Sequence, residues 1–239
     1  MSTSTEERIR GGIATNQVEY QMRFRDIITR ASARAETEFE ARTPGPFLTV
    51  SRDAGSGGAE VAQRVGERLG WAVLDKGLVN RLAGDLELEP RALEVLDETR
   101  ANWFSETLLN LFNSRLVAQQ EYVERVGNVC ALVASSDPVV IVGRGAHLIL
   151  PRQLGFCVRV IASRPSRVTT LSEAEGLDQS TAEKRIDEID ADRRGFIRRN
   201  FRKDLDDAAL YDLIINTDTF GVEGSADVIL RSMEVRGLV

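Results

Sequence analysis

Apolar residues along this chain fall into two rhythms. From about Asn16 to Ala41, Tyr20, Phe24, Ile27, Ile28, Ala31 and Ala35 recur at helical spacing, with Arg and Glu on the remaining positions. Thr43-Pro44-Gly45-Pro46 breaks that helix. Beyond it come five short runs that are apolar almost throughout: Phe47 to Val50, Trp71 to Asp75, Val139 to Gly143, Cys157 to Ala162, and Leu213 to Thr217. Continuous apolar runs of this length mark strands covered on both faces, as in a parallel sheet. Helical spacing separates them. Val61, Val65 and Leu69 lie in a segment from about Ala59 that stops at Gly70, a C-cap residue. Leu78 to Ala83, the acidic stretch from Glu87 to Asn102, the region from Trp103 to about Ser135, and about Val222 to Val235 read as helices too. The expected fold is α/β: a five-stranded parallel sheet flanked by helices over residues 46–239, behind a helical extension over residues 1–45. The extension either packs on the outside of the domain or serves as a dimer or partner helix.

Composition narrows the chemistry. The chain of 239 residues is 42% hydrophobic, enough for a substantial core, and carries a net charge of −6. That balance makes nucleic acid an unlikely partner overall, so any anion site must be local. The two cysteines, Cys130 and Cys157, sit in apolar contexts and read as core thiols of a reducing compartment. The single histidine, His147, excludes a histidine-rich metal centre and reads as a core residue. The N-terminus lacks an apolar signal core and no run reaches transmembrane length, so the expectation is a cytoplasmic protein with no membrane partner.

In parallel sheets ligands gather at the carboxyl ends of strands. The first strand is followed by Arg52-Asp53-Ala54-Gly55-Ser56-Gly57-Gly58-Ala59, a glycine-rich turn leading into a helix. Such a turn presents backbone N–H groups to phosphate, although a plain glycine turn has the same composition. Asp75 follows the second strand, Arg144 the third, and Arg164 and Arg167 the fourth. Asp75 suits either a ligand site or a helix N-cap. Arg144, between two glycines after four buried residues, is hard to explain by packing. The stretch from Arg193 to Lys203 holds six basic residues in eleven positions, either a lid over phosphates or a solvated helix among flanking acids. Within it, Asp190 stands one helical turn from Arg193 and Arg194, so it could orient either guanidinium; Phe196 and Phe201 read as core.

Together these segments resemble the cytidylate kinase-like family of P-loop nucleoside monophosphate kinases over about residues 46–236. The resemblance rests on Ser51 to Gly58, on Asp75, Gly77 and Arg81 in Leu74 to Arg81, on Val142-Gly143-Arg144-Gly145, and on Ala162 to Arg167. It also rests on Asp187, Asp190 and Arg193, and on Tyr211 to Thr217. It implies phosphoryl transfer from ATP, with Mg2+, to CMP or a related monophosphate. By resemblance Arg52 and the loop from Gly55 to Ala59 would bind the donor phosphates. Asp75, Gly77, Arg81 and Arg144 would hold the acceptor. Arg144, Arg167, Asp190 and Arg193 would serve catalysis, with a lid over about 185–206.

The sequence departs from the pattern at the loop, where Ala59 stands in place of a basic residue and no Ser or Thr hydroxyl follows. Arg52 or a lid arginine would have to supply the charge, and Ser56, Asp53 or water would have to meet Mg2+. The alternative is a nucleotide-binding or scaffold protein that kept the fold and lost the chemistry.

Overall fold

The computed structural model describes residues 45–75, Gly77, Val126, Cys130, Val133, Ala134 and 137–239. The predicted N-terminal helix, the helices read between Leu78 and Asn102, and Arg81 lie outside the described residues.

Five strands form one sheet: β1 (Phe47–Arg52), β2 (Ala72–Leu74), β3 (Val139–Val142), β4 (Gly155–Ile161) and β5 (Leu213–Asn216). Their order is β2-β3-β1-β4-β5 and every pairing is parallel, as the apolar runs predict. β1 is central, with Leu48 opposite Val140 on one side and Phe156 on the other. The helices bounded within the described residues are α1 (Gly58–Leu69), the short α2 (Ala146–Ile149), α3 (Arg164–Glu175), α4 (Gln179–Phe201) and α5 (Thr217–Val235).

Alternation along the strands assigns each face its work. Leu48, Val50, Val140, Val142, Val158, Val160 and Ile215 pack against Val61, Ala62 and Val65 of α1 and Ala226, Ile229 and Met233 of α5. The opposite face carries Phe47, Thr49 and Ser51 of β1 and Cys157 and Arg159 of β4, all buried. That second face is partly polar because it runs up to the loops at the carboxyl edge.

Local chemistry sets the helix ends. Gly70 takes the left-handed conformation, φ 68°, that closes α1, as its position predicts. Asp178 caps α4 by accepting from the Thr181 N–H at 3.1 Å. The last helix starts earlier than its apolar spacing indicates, because Asn216 caps it by accepting from the Asp218 N–H at 2.9 Å. A break at Gly221, φ 62° and ψ −174°, hides that first turn from the helical rhythm.

Phe47 and Gly155 are register partners, and a Cβ on Gly155 would fall 2.1 Å from the Phe47 ring. The ring fills the space a side chain would take, and Phe47 is itself fully buried. Gly155→Ala is therefore expected to cost about 1–3 kcal/mol by overpacking. Urea unfolding should show the loss, and pairing it with Phe47→Leu should recover part of it.

Candidate active site

The loop after β1 takes its shape from glycine backbone conformations. Gly55 and Gly57 both take left-handed φ, 74° and 72°. At Gly55 glycine is also needed for space, since a Cβ would stand 2.4 Å from the Arg167 carbonyl oxygen. Gly57 precedes α1 with no side-chain cap, so the first-turn N–H groups of that helix have no capping side chain to accept from them and could take up an anion. The Ser56 side chain is buried beneath the loop, where its hydroxyl lies 3.0 Å from the Asp53 carbonyl oxygen and 3.2 Å from that of Val160. Thr217, at the start of α5, donates its hydroxyl to the Ser56 carbonyl at 2.9 Å. The loop is thus held from below.

It is also held from α3 and α4. Asp190 accepts from the Ala54 N–H at 2.9 Å through one oxygen and pairs with Arg167 through the other. Arg167 in turn donates from Nε to the Ala54 carbonyl at 2.7 Å. Both side chains are more than nine-tenths buried, so one residue of the loop has its two backbone groups clamped by a buried ion pair. Arg159, projecting from the middle of β4, bridges Asp53 at 2.8 Å and Asp206 at 2.6 Å. It also donates to the Leu205 carbonyl at 3.0 Å. Burial pushes the Asp53 carboxyl up, against the pull of Arg159 and Arg167.

Above this support three guanidinium groups gather. Arg52 stands at the end of β1, and Arg193 donates from Nη1 to the Arg52 carbonyl at 3.0 Å. Arg193 lies 3.9 Å from Asp190, further than Arg167 does. Arg144 follows β3. Desolvation, then repulsion from Arg193 and Arg144, lowers Arg52 to about 10, with Asp75 pulling the other way. Burial lowers Arg193 as well. A desolvated guanidinium repelled by its neighbours, as Arg52 is, is stabilised by an anion placed beside it.

Arg144 occupies an uncommon backbone state. Gly143, Arg144 and Gly145 have φ of 80°, 56° and 71°, three left-handed residues in succession. Holding a non-glycine residue there costs on the order of 1 kcal/mol, a strain that concentrates at functional sites. The turn is braced by α4: a Cβ on Gly145 would fall 2.4 Å from the Phe201 ring. Phe201 stands edge-on to Phe196, and the Arg144 guanidinium lies 5.8 Å from the Phe196 ring centre.

The structure therefore brings Arg52, Gly55, Gly57, Gly58, Arg144 and Arg193 together and places exposed Asp75 next to Arg52 at the end of β2. Gly77 is exposed close to Asp75. Ala59 is exposed on the first turn of α1 and brings no charge. Arg167 and Asp190 have a different employment from the catalytic one the resemblance implies: both are spent on the loop backbone. Arg194 does not turn to Asp190 but pairs with Asp206 at 2.9 Å. The stretch read as a lid, about 185–206, is helical through Phe201 and packs its aromatic pair against the Arg144 turn.

Ser56 and Asp53 do not fit as direct ligands of Mg2+, since the hydroxyl is directed at backbone carbonyls and the carboxylate at Arg159. Among the described residues no three His, Cys, Asp or Glu side chains converge as a metal site. Arg159 escaped sequence reasoning, although a charge inside an otherwise apolar strand was its signal. Thr217 left no such mark.

With this geometry in view, the family model described as "Cytidylate kinase-like family" matches residues 47–219, and the chain belongs to that family. The cytidylate kinase of Archaeoglobus fulgidus is 28% identical over 197 residues, covering 79% of this chain and 95% of that protein. The cytidylate kinase of Thermoplasma volcanium is 23% identical over 189 residues, covering 78% and 90%. An uncharacterized protein from Eubacterium ventriosum has a crystal structure that superposes with TM-score 0.65 at 22% identity, covering 79% of this chain and 98% of that one. Its likeness extends to the fold. Among the described residues no helix is long and apolar enough to cross a membrane.

Removing one partner of a buried ion pair strands the other charge. Asp190→Ala is expected to cost about 3–5 kcal/mol in chemical denaturation. The exposed Arg164–Asp187 pair is the internal control, and its disruption by Asp187→Ala should be far smaller.

His147 is buried with its ring 5.3 Å from that of Tyr211, and burial, then Arg159 and Arg152, lower it to about 4. Its folded form stays neutral while the unfolded chain takes up a proton near 6.5, so stability should fall as pH drops from about 6.5 to about 4. His147→Gln should flatten that part of the stability–pH curve.

Proposed function

We propose that this protein is a nucleoside monophosphate kinase-like phosphotransferase that converts ATP and CMP, or a related monophosphate, to ADP and the corresponding diphosphate. The observation that carries the reading is the glycine loop at the start of α1 with Arg52 packed against it and the guanidinium groups of Arg144 and Arg193 close to Arg52. Phosphoryl transfer asks a protein for little covalent chemistry; it asks for in-line positioning and for positive charge around the transferring group. ATP, carried as its Mg2+ complex, is the donor in this reading, and its phosphates lie against the loop from Gly55 to Ala59. Arg144 grips the acceptor phosphate through its planar fork, with Asp75 and Gly77, and by resemblance Arg81, completing the acceptor site. Arg193 neutralises charge that spreads onto the equatorial oxygens. Arg167 and Asp190 keep the loop in register for both nucleotides. The curated relatives are named cytidylate kinases, which makes CMP the first acceptor to try.

A second reading, a nucleotide-binding protein without turnover, is favoured by one observation: Ala59 leaves the loop without a cation of its own, and the Ser56 hydroxyl is buried and engaged. An ADP-release assay with ATP, Mg2+ and each of CMP, dCMP, UMP, AMP and GMP separates the two when thermal shift follows binding in the same samples. Turnover with one acceptor is the expected result; stabilisation by ATP with no turnover for any acceptor would leave the second reading. Arg144→Ala should weaken binding of the monophosphate at least about tenfold while ATP binding changes little. Equal losses for both ligands would remove Arg144 from the acceptor site.

A further inference from the structure

Arg52 is placed unlike any other arginine of the described structure. It is the last residue of β1, before the loop begins, yet its side chain lies along the loop and reaches the neighbouring strand end. A Cβ on Gly58 would fall 2.5 Å from the Arg52 Cβ and 3.1 Å from its Cγ, so the stem of the side chain runs against the start of α1. A Cβ on Gly143 would fall 2.4 Å from the Arg52 Nη1, so the guanidinium arrives at the Gly143-Arg144-Gly145 turn. Two glycines on two elements leave the channel for this one side chain, and either one replaced by alanine would obstruct it.

What the guanidinium meets at the end of that channel is unfavourable. Arg159, Arg164, Arg167 and Arg194 each have a carboxylate partner, at 2.8 Å for Arg159. Arg52 has no hydrogen bond or ion pair from its side chain among the described residues, while its carbonyl oxygen accepts from Arg193. The charges acting on it are the guanidinium groups of Arg193 and Arg144, opposed in part by the carboxylates of Asp75 and Glu60. A desolvated, under-satisfied cation costs free energy, and a fold that carves a channel for one implies a ligand that repays it. Meanwhile the exposed Ala59 leaves the first turn of α1 uncharged.

We infer that Arg52 supplies, from the strand before the loop, the phosphate-neutralising cation that position 59 does not provide. Lying between Gly58 and Gly143, it spans the donor loop and the acceptor turn, so its planar donors face phosphates from either side. The inference rests on the kinase reading for its substrates but not for its test, since any polyphosphate in the loop should meet the same guanidinium.

Thermal shift and calorimetry on the full chain, with inorganic pyrophosphate and with ATP as probes, test it. Arg52→Ala is expected to weaken both ligands at least about tenfold, the loss of a charge-assisted contact. The double variant Arg52→Ala/Ala59→Lys should recover most of that affinity, because a lysine on the first turn of α1 reaches the same phosphates from the other side. Should Arg52→Ala not fold, Arg52→Met keeps the stem in its channel and removes only the charge. Wild-type affinity in the charge-deleted variant would overturn the inference, as would a failure of Ala59→Lys to restore any binding. Pyrophosphate binding that depends on Arg52, without ATP binding, would overturn the nucleotide reading and keep the inference. If the wild type bound neither probe, both would fall.

Discussion

Asp190 and Arg167 together hold a single loop residue by both ends of its peptide chemistry, N–H to carboxylate and carbonyl to guanidinium, and the site depends on that clamp. Glycines give the loop between β1 and α1 its shape, but glycines alone also give it freedom to leave that shape. The buried pair removes that freedom by making any departure strand two charges. Because Asp190 belongs to α4 and Arg167 to α3, the same contact fixes where α4 lies, and with it Arg193 above the loop and Phe201 against Gly145. A clamp, a glycine loop and the bracing of an arginine turn are therefore one mechanical unit.

The electrostatic design is layered. Beneath the loop, Arg159 and Arg167 are matched by Asp53, Asp190 and Asp206, which neutralises the support. Beside it, Arg52 is repelled by Arg193 and Arg144, with Asp75 and Glu60 in partial compensation. A net charge of −6 for the whole chain conceals this, because the imbalance is confined to one edge of the sheet. The belonging to the cytidylate kinase-like family fits such an edge, since a kinase of small anionic substrates needs concentrated positive charge at one place only.

Much of the fold was legible in the sequence for a plain reason: strands of a parallel sheet covered by helices are mostly apolar, and all five stand out as short, largely apolar runs. Gly70 and the glycine loop were legible because left-handed φ leaves few alternatives to glycine. The start of α5 was not, since Gly221 breaks its periodicity. At the site, residue types and spacing singled out Arg144 and Arg193, yet could not divide the arginines paired with carboxylates beneath the loop from the rest. That division depends on contacts across more than a hundred positions, such as Ala54 with Asp190. Arg159 shows the same limit: a charge in an apolar run announces burial but not its partners.

The most direct trial of the phosphotransfer reading follows the phosphoryl group itself. Phosphorus NMR of the full chain mixed with Mg2+, ATP and CMP distinguishes a nucleotide that is held from one that reacts. Loss of the ATP γ-resonance with growth of a cytidine diphosphate β-resonance is the predicted result. Resonances of bound ATP that broaden or shift yet persist unchanged with every monophosphate supplied would contradict it, and would leave a nucleotide-binding protein on a kinase fold.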